Sequence, residues 1–220
     1  MLEMNATPRL RRVKHGYTNG ARSLARRSVT SLARTGITPN VLTATGVSLC
    51  LAAAILVPFE NHGKLLFYWL AAGTFVVGSL LDILDGALAR VGGKTTPFGA
   101  FIDSTTDRVG EGAMLAAIAL VFSRHGHDWA VVVAVAAVVG SFLVSYTRAR
   151  AEALGLKGDV GLGSRAERVV LITAGLVFAP WGGLPWAIVA LSATALLTVV
   201  QRILHVRKQL SGGSSGSNER

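Results

Sequence analysis

The sequence predicts an all-α integral membrane protein: six transmembrane helices preceded by an amphipathic helix lying on the membrane surface. Three observations predict it. Hydrophobic residues make up 51% of the chain and charged residues only 15%, against roughly 25% charged in a soluble domain. The apolar residues gather into long runs separated by short polar turns. The basic residues avoid alternate turns, so the two ends of the predicted bundle differ in charge.

In chain order, Ala21, Leu24, Ala25, Val29, Leu32 and Ala33 recur at helical spacing, with Arg22, Arg26, Arg27 and Arg34 on the other sides. That pattern suits a helix lying in the interface. The segment GITPN, Gly36 to Asn40, breaks it, because Pro39 disfavours helix before itself and favours a helix start. Apolar runs follow at Val41–Phe59, Leu65–Leu81, Gly112–Ser123 with a polar approach from Gly99, Trp129–Thr147, Val169–Ala179 and Trp186–Gln201. A hydrocarbon core of about 30 Å needs roughly 20 helical residues, so the second, third and fifth runs must extend into their polar flanks. The expected organisation is a cytoplasmic arm with its interfacial helix over residues 1–38, a six-helix domain over 39–208 and a flexible Gly/Ser-rich tail over 209–220.

Of the 22 Lys and Arg residues, only Lys64 and Arg124 fall in the turns after the first and third runs, and the turn Pro180 to Trp186 has none. The positive-inside rule then places both termini, and the turns rich in Arg and Lys, in the cytoplasm, with the chain in the cell membrane. A net charge of +10 could signal nucleic acid. However, the cations sit beside membrane runs without an aromatic-rich binding motif, so anionic lipid headgroups and phosphorylated substrates are the expected partners and nucleic acid is not. The single cysteine, Cys50, lies inside an apolar run and excludes an intrachain disulfide. Met1 to Pro39 is basic and lacks an apolar core, so no signal peptide is expected there.

The segment from Asp82 to Asp107 holds four aspartates where hydrocarbon is expected. Asp82 and Asp85 are three apart and Asp103 and Asp107 four apart, so each pair lies on one helix face. The linker VGGKTTPFG permits a tight turn, which brings both pairs to the cytoplasmic end of a helix hairpin. Four packed carboxylates repel and resist desolvation unless cations neutralise them. Two divalent metals balance four negative charges, and an all-oxygen donor set favours Mg²⁺, with Mn²⁺ possible, over zinc. Paired metals of this sort serve phosphoryl chemistry. The alternative for intramembrane carboxylates is the ion site of a cation transporter.

Asp82, Asp85, Gly86, Ala89, Arg90, Gly99, Asp103 and Asp107 match the signature D-x2-D-G-x2-A-R-x8-G-x3-D-x3-D, so the chain resembles the CDP-alcohol phosphotransferase family. The resemblance implies a six-helix fold, two metals, a homodimer and transfer of a lipid-linked phosphate from a CDP-lipid to an alcohol. It further implies that Asp82, Asp85 and Asp103 hold one metal, that Asp82, Asp103 and Asp107 hold the other, and that Asp107 takes the proton from the attacking hydroxyl. Asn40, Val41, Leu42 and Thr43 resemble the family's cytidine-contacting segment, Thr96 is a further candidate contact, and Gly86 leaves room for a nucleotide. Arg90 can pair with the diphosphate. A membrane prenyltransferase also uses aspartate-rich motifs and Mg²⁺, but the G-x2-A-R element argues against it.

The segment Ser145 to Val169 carries Arg148, Arg150, Lys157, Arg165 and Arg168 toward the same side, and Arg202 joins them. A neutral alcohol has no need of so many cations, whereas a phosphorylated one does. SYTRARAE and RAERV also resemble the bacterial, chiefly actinobacterial, phosphatidylinositol-phosphate synthases within the family, which implies that Arg148, Arg165, Arg168 and Arg202 hold the acceptor phosphate. The expected reaction joins CDP-diacylglycerol and 1D-myo-inositol 3-phosphate; phosphatidylglycerophosphate synthesis is the alternative. His125 and His127, in the opposite turn, are expected to be solvated.

Overall fold

In a computed structural model, residues 38–213 are described except Lys94, Asp159 and Leu162. The interfacial helix expected before Thr38 and the chain beyond Gly213 lie outside the described residues. The described residues form six α-helices in order: α1 Pro39–Leu56, α2 Lys64–Val91, α3 Pro97–Arg124, α4 Asp128–Ala153, α5 Arg165–Val177 and α6 Leu184–Gly213, and there is no strand among them.

The helix boundaries follow from local chemistry. Pro39 occupies the first turn of α1 behind an extended Thr38. The 3₁₀ turn Val57–His62 leads through Gly63 into α2. Gly93, with φ +61°, turns the chain after α2. Thr96 caps α3, its Oγ1 accepting from the Gly99 N–H at 3.0 Å, with Pro97 next to it. Ser164 and Glu167 form a reciprocal capping box at the start of α5.

Four helical stretches are long and apolar enough to cross a membrane: α1 with its 3₁₀ extension, α2, α4 and α6. The protein is therefore embedded in a membrane. α3 falls short because Asp103, Asp107, Arg108 and Glu111 interrupt its apolar character, and α5 because it has only 13 residues. The last helix also outruns its expected end: Gln209 to Gly213, assigned to the tail by composition, are helical. Gln209 holds Lys157 from both sides, accepting from its N–H at 3.1 Å and donating to its carbonyl at 2.8 Å.

α1 packs along α2 and α3, α4 along α3 and α6, and α5 against α2 and α6. Small residues lie inside and large ones outside: Ala130, Ala134 and Ala137 of α4 are buried, whereas Val132, Val135 and Val139 are exposed. In a bilayer this is the stable arrangement, because lipid solvates the large apolar groups and small residues let helices approach. α1 and α2 approach each other closely. A Cβ on Gly78 would lie 2.8 Å from both the Gly46 carbonyl oxygen and Cys50 Sγ, so neither helix has room for one there. Phe75, Met114, Leu115, Ile118, Ile172 and Ile188 fill the centre of the bundle.

The aspartates lie at the end of the bundle where α1, α3 and α5 begin and α2, α4 and α6 finish. The opposite end carries the exposed Trp129, Trp181 and Trp186, with the Trp129 and Trp186 rings 6.1 Å apart. Tryptophans concentrate at that depth because one face of the ring prefers hydrocarbon and its N–H prefers water.

Candidate active site

Asp82 and Asp85 are buried on α2, and Asp103 approaches them from α3, so that one carboxylate oxygen from each lies within 4.8 Å of the others. The i, i+3 spacing of the first pair and the tight turn before Pro97 produce this meeting, as the sequence predicts. Asp107, one turn further along α3, is tied differently: Arg165 Nη2 lies 2.6 Å from its Oδ1, and Arg108 Nη1 donates to its Oδ2 at 3.1 Å. Arg165 also donates to Asp82, so one guanidinium spans the two helices. Asp82, Asp107, Glu111 and Arg165 border a small internal cavity of ≈ 10 Å³.

The chemistry of this group fits a hard divalent cation. Its donors are carboxylate oxygens only, and Asp85 Oδ1 is buried without a hydrogen-bond partner. Buried carboxylates without enough donors are costly, and a cation satisfies all of them together.

A cleft of ≈ 390 Å³ opens beside these carboxylates, lined by Asn40, Thr43, Asp85, Gly86, Arg90, Thr96 and Asp103 among others. Thr43 donates to Asp85 Oδ2, linking the start of α1 to the aspartates. The Arg90 guanidinium lies over Gly86, where a Cβ would be 3.5 Å from Arg90 Nη1. Five of the seven residues predicted to contact the nucleotide therefore border one space: Asn40, Thr43, Gly86, Arg90 and Thr96. Val41 and Leu42 do not. Val41 points outward at 54% exposure, and Leu42 packs on Leu88 with 6% exposed. A helix turns about 100° per residue, so Asn40 and Thr43 share a face that the two residues between them cannot.

The four arginines expected at the acceptor phosphate have different surroundings. Only Arg165, of the four arginines assigned to it, reaches the aspartates. Arg168 is 3% exposed and holds Glu111 with two hydrogen bonds of 2.7 and 3.0 Å, while its Nη1 donates to the Gly163 carbonyl at 2.8 Å. Arg202 is 6% exposed and donates to the carbonyls of Val160, at 2.9 Å, and Val144. Arg148 is exposed and pairs with Glu152 one turn along α4 at 2.9 Å. Position along the chain brings all four to one end of the bundle, but internal partners, invisible to charge counting, take two of them out of solvent.

Sequence reasoning passed over Glu111 and Glu60. Glu111 continues the spacing of Asp103 and Asp107 by another four residues, which was a readable signal. Glu60, in the turn after α1, is buried and pairs with His125 Nε2 at 2.8 Å. His125 and His127 are exposed at the far end of the bundle, as expected, and His125 also hydrogen-bonds Glu60.

Comparison with known proteins places this geometry. A phosphatidylinositol phosphate synthase of Mycolicibacterium smegmatis is 39% identical over 183 residues, covering 79% of each chain. The crystal structure of Mycobacterium tuberculosis phosphatidylinositol phosphate synthase with CDP-DAG bound superposes with a TM-score of 0.72 at 31% identity, covering 84% of this chain and 94% of that one. The same enzyme in complex with manganese and citrate gives a TM-score of 0.73 at 31% identity, covering 83% and 88%. Residues 36–205 match the family described as CDP-alcohol phosphatidyltransferase.

Proposed function

Because the chain belongs to the CDP-alcohol phosphatidyltransferase family, we propose that it transfers a phosphatidyl group from CDP-diacylglycerol to 1D-myo-inositol 3-phosphate, giving phosphatidylinositol phosphate and CMP. The carrying observation is the position of the aspartates, between a polar cleft on one side and the Arg165 guanidinium on the other. A donor and a negatively charged acceptor can thus approach the same carboxylates from different directions.

In this reading Asn40, Thr43 and Thr96 border the nucleotide, and Gly86 leaves space for its diphosphate, which Arg90 holds. Arg165 holds the phosphate of the acceptor. Asp82, Asp85, Asp103 and Asp107 would bind two Mg²⁺ or Mn²⁺ ions. These supply charge neutralisation at the phosphate oxygens and make CMP a better leaving group. Asp107 takes the proton from the inositol hydroxyl as that oxygen attacks the phosphorus attached to the lipid, and the phosphorus–oxygen bond to CMP breaks. Hydroxyl attack needs a nearby unprotonated carboxylate, and Asp107 is one of the two signature aspartates that Arg165 contacts.

The same reading has all six helices crossing the cell membrane as a homodimer, with the aspartate end and both termini in the cytoplasm. Supporting this are the basic residues at the aspartate end and the tryptophans at the other. The test is a substrate panel with purified protein in detergent or liposomes. CMP release should require CDP-diacylglycerol, inositol phosphate and a divalent metal, and should stop on chelation. Faster turnover with glycerol 3-phosphate would reassign the acceptor and leave the family chemistry intact. Metal transport across sealed vesicles, with no CMP formed, would overturn the transferase reading.

A further inference from the structure

At the end of the bundle away from the aspartates, the turns after α1, α3 and α5 enclose a cavity of ≈ 220 Å³, lined by Glu60, Lys64, Tyr68, His125 and Pro180 among others. The first two turns are fastened together, since the Arg124 guanidinium donates to the Pro58 carbonyl at 2.9 Å. Glu60 is 1% exposed. Its Oε1 pairs with His125 Nε2 at 2.8 Å, while its Oε2 is buried without a hydrogen-bond partner among the described residues. A buried carboxylate oxygen in that position is costly until something donates to it.

Lys64 also lines a second space. This is an apolar groove of ≈ 580 Å³ on α2, formed with Leu65, Leu66, Trp69 and Leu70, all of them exposed. Trp69 Nε1 donates to the Val177 carbonyl at 3.2 Å, which fixes the ring as part of the groove wall. Among the described residues Lys64 has no ion-pair partner. A cavity with an undersatisfied carboxylate, a lysine and an apolar groove thus follow one another at the level of Trp129, Trp181 and Trp186. A membrane lipid presents its polar head, phosphate and acyl chain in the same order at that depth.

We propose that the cavity and groove together bind a phospholipid of the leaflet opposite the aspartates, one whose headgroup carries a primary ammonium. The ammonium donates to Glu60 Oε2, the phosphate pairs with Lys64, and an acyl chain lies along Leu66, Trp69 and Leu70. Glu60 decides the headgroup. Its negative charge disfavours an anionic head, and a quaternary ammonium has the right charge but no N–H to donate. The site is separate from the aspartates and from the chemistry proposed for them. Its effect is to brace the turns that close this end of the bundle, because a ligand bound only by the folded state stabilises it.

The test offers the purified full-length protein, in detergent, phosphatidylethanolamine, phosphatidylcholine and phosphatidylglycerol with identical acyl chains, and reads retained lipid by native mass spectrometry. Phosphatidylethanolamine should be retained roughly tenfold better than phosphatidylcholine, the worth of one charge-assisted hydrogen bond, and should raise the melting temperature most. Glu60→Gln should abolish that preference. Lys64→Met, at an exposed position, should lower retention of phosphatidylethanolamine and phosphatidylcholine alike. Equal retention of these two lipids by the parent, or stronger retention of phosphatidylglycerol, overturns the proposal. So does a preference that survives in folded Glu60→Gln or an unchanged retention in Lys64→Met. If Glu60→Gln does not fold, the parent comparison and Lys64→Met decide the matter.

Discussion

On the α1 side of the aspartates, Asn40, Thr43, Gly86 and Arg90 line an open cleft of ≈ 390 Å³. On the α5 side, Arg168 and Arg202 are buried against Glu111 and main-chain carbonyls, while Arg165 reaches Asp82 and Asp107. The first side presents polar groups to an open cleft; the second is built around buried polar contacts. Arginines that arrive at the same end of the bundle therefore do not share the same surroundings. Removing a buried arginine costs through the partner left unpaired, whereas removing one open to substrate costs mainly the contact made there.

The largest effect expected bears on what the two sides share. Asp107→Asn keeps the shape of the side chain but removes the base, so turnover should fall at least 10²-fold while CDP-diacylglycerol still binds; CMP release and a lipid-binding titration check it. Near-normal turnover would remove Asp107 from its proposed role.

Next come Arg165 and Arg90, which should break in opposite directions. For Arg165→Gln the KM for inositol phosphate should rise roughly tenfold to a hundredfold, the worth of a charge-assisted contact of about 1.5 to 3 kcal/mol. For Arg90→Gln the rise should fall on CDP-diacylglycerol, roughly tenfold. Equal effects of each change on both substrates would show that the sides do not act separately.

A smaller effect should fall on stability. Gly78→Ala forces a methyl group into the α1–α2 contact, and overpacking of this kind costs about 1–3 kcal/mol, readable as a lowered thermal midpoint in detergent. Val41→Ala should do least. Its side chain points away from the cleft, so unchanged KM values for both substrates would confirm that this side of the site belongs to Asn40 and Thr43, whereas a raised KM for CDP-diacylglycerol would return Val41 to it.

How much of this was legible in the sequence follows the same division. The aspartate pairs could be placed because i, i+3 and i, i+4 spacing fixes a helix face whatever surrounds it, and Gly86 and Arg90 share that helix. Asn40 and Thr43 follow from the same rule, which, applied strictly, would have removed Val41 and Leu42. The acceptor side depends on contacts between residues distant in sequence, such as Glu111 with Arg168 and Thr198 with Gly163. No local period encodes these. The end of α6 was misplaced for a related reason: a glycine- and serine-rich composition signals flexibility, but Gln209 docks on Lys157 and the helix runs on.

The glycine contact between α1 and α2 has a consequence for motion. With Gly46 against Gly78, and Thr43 bonded to Asp85, the two helices interlock at this crossing, where sliding one past the other would drive backbone against backbone. The two helices should then move together, carrying the cleft wall and the carboxylates of Asp82 and Asp85 with them. Any induced fit around a bound nucleotide should then come from the other wall, where Thr95 and Thr96 lead into α3, and closure there would carry Asp103 toward its partners.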